Sequence, residues 1–204
     1  MEQIIQLNSN AKLSEHFTLG EMTRSSHPEV YNIPSHEAIE NLKRLCGWLE
    51  VLRKRYNELN QTTPGPQVLP SSWEEGPGVE EKSSSTYLKE DETVLNQTTP
   101  GPSLIFKEGN TEGIIINSGY RSPQLNRKIG GAANSNHLTG CAVDIRVSGM
   151  EQLIQYAAIL IQYAKETHQD FDELLLERNK HGAIWLHFAV RPKDNRRKTL
   201  FLSV

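Results

Sequence analysis

"SNHLTGCAVDI", residues 135–145, passes from a polar turn through Gly140 into an apolar run that continues as "CAVDIRV" to residue 147. The run reads as a β-strand with Ala142, Asp144 and Arg146 on one face. An aspartate in mid-strand, facing a core, needs a partner for its charge. His137 and Ser135 stand just upstream in the turn. Spacing alone leaves two readings open. Either these side chains share a cation, or they are ordinary hydrogen-bonding residues, with Asp144 paired to Arg146 or to a backbone amide.

Outward from that strand the pattern alternates between elements. "SGME" at 148–151 has the form of a capping box, and it opens a helix whose apolar face includes Leu153, Ile154, Ala157, Leu160, Ile161 and Ala164. "FDELLLER" fits a strand or a helical turn, since short apolar runs do not separate the two. "AIWLHFAV" alternates as a strand with Trp185, His187 and Ala189 on one side. Upstream, Ile114 to Ile116 in "GIIINSGYRS" predicts a buried strand ending at Gly119, and Ser122-Pro123 starts a short helix that Gly130-Gly131 ends. Pro34-Ser35 opens a helix over 36–58 with Ile39, Leu42, Leu45, Cys46, Leu49, Leu52 and Tyr56 along one face. Ser14 and Thr18 are candidate caps for short turns before it. The fold class is α+β: a small, mainly antiparallel sheet flanked by helices.

The stretch 59–110 differs from both flanks. It is rich in Pro, Gly, Ser, Thr and Glu, has no steady period, and repeats "LNQTTPGP" at 59–66 and 95–102. We read it as a flexible insert in a single domain spanning 1–204. The chain's 22 basic and 25 acidic side chains give a formal charge of −3, with no basic excess to suggest a nucleic-acid partner. No apolar run is long enough to span a bilayer, and the start lacks the pattern of a secretory signal. Two cysteines make neither a disulfide framework nor a zinc–thiolate motif. The expectation is a monomer made in the cytoplasm.

Taken in order, Ser135, His137, Gly140, Ala142 and Asp144 spell S-x-H-x-x-G-x-A-x-D. With "SGYRS" before it and "WLH" ending at His187 after it, this set resembles the zinc D-alanyl-D-alanine carboxypeptidase family. Relatives of that family include phage peptidoglycan endopeptidases and, more distantly, the hedgehog signalling domain. "LSEHFTLGEM" and "NLKRLCGWLEVLRKRY" also resemble the start of its small single-domain members. The resemblance implies that His137, Asp144 and His187 bind Zn2+, with three protein ligands and a fourth position left for water. It also implies that Arg121 holds a substrate carboxylate or carbonyl and that Ser135 hydrogen-bonds near metal or substrate. The plainer readings are a surface arginine beside a turn and a simple turn serine.

Many members carry the catalytic acid three residues before the last ligand, where this chain has Ile184. Glu177, ten residues before His187 on what a hairpin through "RNKHG" would make the facing strand, is the replacement candidate. Asp172 and Glu173 are expected farther from the site. His181, in the turn, is a further candidate for stabilising an oxyanion. The resulting expectation is a zinc peptidase cleaving stem peptides of peptidoglycan, as carboxypeptidase or endopeptidase, in keeping with release to the wall as a phage-type lysin. The alternative is a zinc-containing binding module without catalysis, for which Ile184 speaks.

Overall fold

A computed structural model describes residues 9–62 and 113–204, which belong to one compact unit. The remainder of the expected insert lies outside the described residues. Its first four positions do not: the long helix α2, His36–Thr62, runs through them. Ser35 starts α2 as expected, its Oγ accepting the Ala38 N–H at 3.1 Å. Before it, the short helix α1 (Leu19–Met22) is capped by Thr18 in a full capping box with Glu21. Ser14 caps nothing; its hydroxyl donates to Glu50 on α2 at 2.6 Å.

Five strands form one sheet: β1 (Ile116–Ser118), β2 (Ala142–Arg146), β3 (Glu173–Arg178), β4 (Ile184–Ala189) and β5 (Lys198–Ser203), in the order β1-β2-β4-β3-β5. All neighbours are antiparallel except β3 and β5. "FDELLLER" is thus a strand, its choice settled by pairing on both edges. The C-terminal strand β5 had no sequence expectation. β1 lies at the sheet edge, and the chain entering it alternates: Ile114 and Ile116 are buried while Ile115 is exposed.

Alternation splits the sheet into two faces. Val143, Ile145, Leu174, Leu186 and Phe188 point into the apolar core with α2 and with α4 (Met150–Thr167). Trp48 of α2 joins the layers, packing edge-on against Tyr163 of α4 at 4.8 Å and tilted against Phe188 of β4 at 5.4 Å. On α4 the buried stripe runs through Leu153, Tyr156, Ala157, Leu160 and Ala164, whereas Ile154 is exposed. The expected capping box at its start does not form. The helix begins after Gly149, one residue too late for Ser148 to cap it, and the Gln152 side chain instead accepts the Ser148 N–H at 2.7 Å.

The opposite face carries Asp144 on β2, His187 on β4, and Glu173 and Glu177 on β3. In the register Asp144 pairs with His187, Leu175 also pairs with His187, Glu177 pairs with Trp185, and Glu173 pairs with Ala189. Directly paired residues share a face, so Glu173 and Glu177 flank His187 on either side.

Candidate metal centre

The turn that carries His137 is a single 3-10 turn, Asn136–Thr139, between the short helix α3 (Pro123–Lys128) and β2. Ser135 caps it, its hydroxyl accepting the His137 N–H at 3.3 Å. Gly140 ends the turn at φ 71°, where a Cβ would also stand 2.5 Å from the Ala38 carbonyl of α2. The glycine of the sequence signature therefore serves both the turn and the close approach of α2. Gly119 has a comparable reason: its Cβ would meet the Met22 carbonyl at 2.3 Å. That close contact brings the Gly119 carbonyl under His137, whose Nδ1 lies 2.6 Å from it.

A carbonyl oxygen can only accept, so Nδ1 of His137 bears the proton. Burial lowers the pKa of this ring, more than the Asp144 charge raises it, and keeps it neutral. Nε2 then presents a lone pair, and it faces Asp144 Oδ1 at 3.3 Å. The same oxygen lies 2.9 Å from His187 Nδ1. The three residues are buried, and their ligand atoms fall within 4.8 Å of one another. Two acceptors facing each other out of water repel unless something positive lies between them. In a tetrahedral site with bonds of about 2.0–2.1 Å, neighbouring ligand atoms stand about 3.3 Å apart, so the observed spacing suits a small cation. Two imidazoles and one carboxylate form a set that could hold a metal.

Electrostatics around the trio are divided. For Asp144, burial would raise the pKa, but the hydrogen bond from His187 is among the contacts that hold it below the usual carboxylate range. For His187, burial would lower it, yet the hydrogen bond to Asp144 and the nearby carboxylate of Glu173 push it up to about 9. Its Nε2 is buried and has no hydrogen-bond partner among the described residues.

Arg121 reaches this centre. Its guanidinium pairs with Asp144 Oδ2, its Nε donates to Ser118 Oγ at 2.8 Å, and its backbone N–H donates to the His137 carbonyl at 3.1 Å. Asp144 thus divides its oxygens, one toward the imidazoles and one toward the arginine. Nη1 takes no hydrogen bond among the described residues.

Glu177 shares the face and senses the charges of His187, Asp144 and Arg121. Burial raises its pKa above that of an ordinary glutamate, with His187 and the neighbouring Trp185 working against the rise. Ile184, three residues before His187, points the other way. Residues an odd number apart in a strand lie on opposite faces, and Ile184 packs against the core. An acid at that position would be buried among apolar side chains. His181 is exposed in the hairpin turn.

Glu173 corrects an expectation. It does not lie farther from the centre, because the register sets it diagonally beside His187, with Oε2 3.6 Å from His187 Nε2. Period-2 counting back from Glu177 would have found it, once "FDELLLER" was known to be a strand. The Gly119 carbonyl has no such signal, as main-chain partners carry no residue type.

Residues 107–181 match the family described as Peptidase M15. No curated protein matches the chain. The matched segment holds Arg121, Ser135, His137, Asp144, Glu173 and Glu177, and stops short of His187. The pairing of β4 between β2 and β3 supplies that last imidazole. Among the described residues no helix is long and apolar enough to cross a membrane.

Proposed function

We propose, from the match of residues 107–181 to the Peptidase M15 family, that the chain is a zinc-dependent peptidase acting on the stem peptides of peptidoglycan. One observation carries the metal part of this reading. His137 Nε2, fixed as a lone-pair donor by the Gly119 carbonyl, faces Asp144 Oδ1 at 3.3 Å with His187 Nδ1 beside it. Two imidazoles and one carboxylate suit zinc and leave a fourth position for water.

When bound, zinc makes water a nucleophile near neutral pH and polarises the scissile carbonyl. Glu177 accepts the proton of the attacking water. Its raised pKa suits a group that must take a proton and then give it up. Water adds to the carbonyl carbon, the C–N bond breaks, and Glu177 passes the proton to the departing amine. The products are a carboxylate and an amine. Arg121 holds Asp144 in place with one edge of its guanidinium and offers Nη1 to a carbonyl or carboxylate of the substrate. Ser135 maintains the turn that presents His137.

The test is hydrolysis of purified peptidoglycan and of defined stem peptides, with products read by mass spectrometry. Turnover should vanish with a chelator and return with zinc. The masses distinguish loss of a terminal D-alanine from internal cleavage. A protein that binds zinc yet releases no product in any state would instead be the non-catalytic binding module.

A further inference from the structure

Beyond the three proposed ligands, a polar bridge joins the turn that carries His137 to the start of β3, the strand beside His187. Asn136, the residue before His137, donates through Nδ2 to Asp172 Oδ2 at 2.8 Å and to Glu173 Oε2 at 2.9 Å. Glu173 Oε2 in turn stands 3.6 Å from the buried, unpartnered Nε2 of His187. The other carboxylate oxygen is occupied elsewhere: Oε1 takes Arg196 Nη2 at 2.9 Å and Lys198 Nζ at 3.2 Å. Each oxygen of Glu173 therefore has its own direction, one toward the centre and one toward the C-terminal strand.

A histidine that gives one ring nitrogen to a metal leaves the other as an N–H donor. A carboxylate accepting from that N–H fixes the ring's orientation and makes the ligand more basic. His187 turns Nδ1 toward Asp144, so Nε2 is the outward nitrogen, and Glu173 faces it. We propose that Glu173 is a positioning residue for the metal centre: it orients His187 from behind through Nε2 while Asn136 ties the same carboxylate oxygen to the turn bearing His137. The inference rests on the metal-centre reading above and adds a residue to it.

The competing account makes Glu173 only an anchor for β5, through Arg196 and Lys198. Zinc affinity separates the two, measured by competition with a chromophoric chelator on the full chain. Glu173→Ala should weaken zinc binding by about 10–100-fold, the usual effect of removing such an outer partner. Glu173→Gln keeps an acceptor oxygen without the charge and should lose several-fold, less than the alanine variant. Lys198→Ala breaks the β5 contact alone and should leave the dissociation constant unchanged. In the cobalt-substituted protein the visible absorption bands should shift in Glu173→Ala and not in Lys198→Ala. If Glu173→Ala does not fold, a several-fold loss in Glu173→Gln beside an unchanged Lys198→Ala supports the proposal. Zinc affinity equal to wild type in the glutamine variant, or in the alanine variant, overturns it and leaves the centre itself standing. A wild-type protein that binds no zinc overturns both.

Discussion

Asp144 and Asp172 are both buried carboxylates, and their surroundings differ in kind. Asp172 is wholly enclosed and meets only donors: Arg191 Nη2 at 2.6 Å, Arg196 Nε at 2.8 Å and Nη2 at 2.6 Å, the Arg196 backbone N–H at 3.2 Å and Asn136 Nδ2 at 2.8 Å. Its charge is answered by the protein. Asp144 has one oxygen answered by Arg121, while the other takes His187 Nδ1 at 2.9 Å and also faces an imidazole nitrogen of His137 that bears a lone pair. Burying a charge is costly unless it is paired and hydrogen-bonded. A carboxylate with a full set of N–H donors is an anchor for the fold; one that also faces another acceptor is where the proposed cation would sit.

The largest effects should fall on chemistry at Asp144. Asp144→Ala removes the oxygen shared by both imidazoles, and is expected to abolish zinc binding in dialysed protein together with all peptide hydrolysis. Glu177→Gln should retain zinc and lower kcat by about 10²–10⁴-fold, the range for losing a general base. A Glu177→Gln enzyme with zinc bound and full turnover would remove Glu177 from the mechanism.

Next comes Asp172, where the loss should appear as stability. Asp172→Ala leaves two guanidinium groups without their carboxylate. Since both arginines reach solvent, the cost should sit at the low end for a broken buried pair, about 3 kcal/mol. For a domain of this size that is a fall in Tm of about 6–12 °C by thermal unfolding. The zinc content of the folded protein should not change. A variant with normal Tm and lost zinc would reverse the roles assigned to the two aspartates.

The comparison also has a pH signature. Burial would raise the Asp172 pKa, but hydrogen bonds from Arg196 and Asn136 outweigh it and bring it down to about 2 from an ordinary 3.8. A carboxyl held low in the folded state stabilises it fully above its unfolded pKa, and that contribution disappears as pH falls through the folded value. The Tm gap between wild type and Asp172→Asn should therefore be greatest above about pH 5 and close as pH falls toward about 2. A gap independent of pH would mean that the charge of Asp172 is not what stabilises the fold.

Legibility in the sequence followed the same division. Periodicity exposed α2, α4, β2 and β4, because each has one apolar side and one polar side of correct period. His137, Asp144 and His187 could be picked out because a charged or imidazole side chain on a strand or tight turn is conspicuous against apolar neighbours. Glu173 was hidden by an unresolved choice between strand and turn for "FDELLLER": only the pairing of β3 with β4 and β5 fixes which of its acids face His187. β5 was hidden for another reason. As an edge strand with Leu200 and Phe201 exposed, it lacks the clean alternation that one buried face produces. The Asp172 anchor joins the residue just before β3 to Arg191 and Arg196 across about twenty residues of chain, a pairing that no local pattern encodes.

The smallest effect tests how the site tunes Glu177, the proposed base. Burial lifts the Glu177 pKa, and the Trp185 side chain paired with it across β3 and β4 restrains that lift by stabilising the carboxylate. The base must be ionised to accept a proton, so kcat/KM should fall on the acid side through a midpoint above the ordinary glutamate value of 4.5. Trp185→Phe keeps the ring on the same face of β4 and deletes the N–H donor. The midpoint should then move upward by a few tenths of a pH unit, on the scale of one partly exposed hydrogen bond of about 0.5–1 kcal/mol, while the plateau changes little. Because Trp185 pairs directly with Glu177 in the register, no other residue need move for this to happen. A midpoint that stays fixed in Trp185→Phe would assign the acid limb to a group other than Glu177, and the division of labour between the flanking acids of His187 would have to be redrawn.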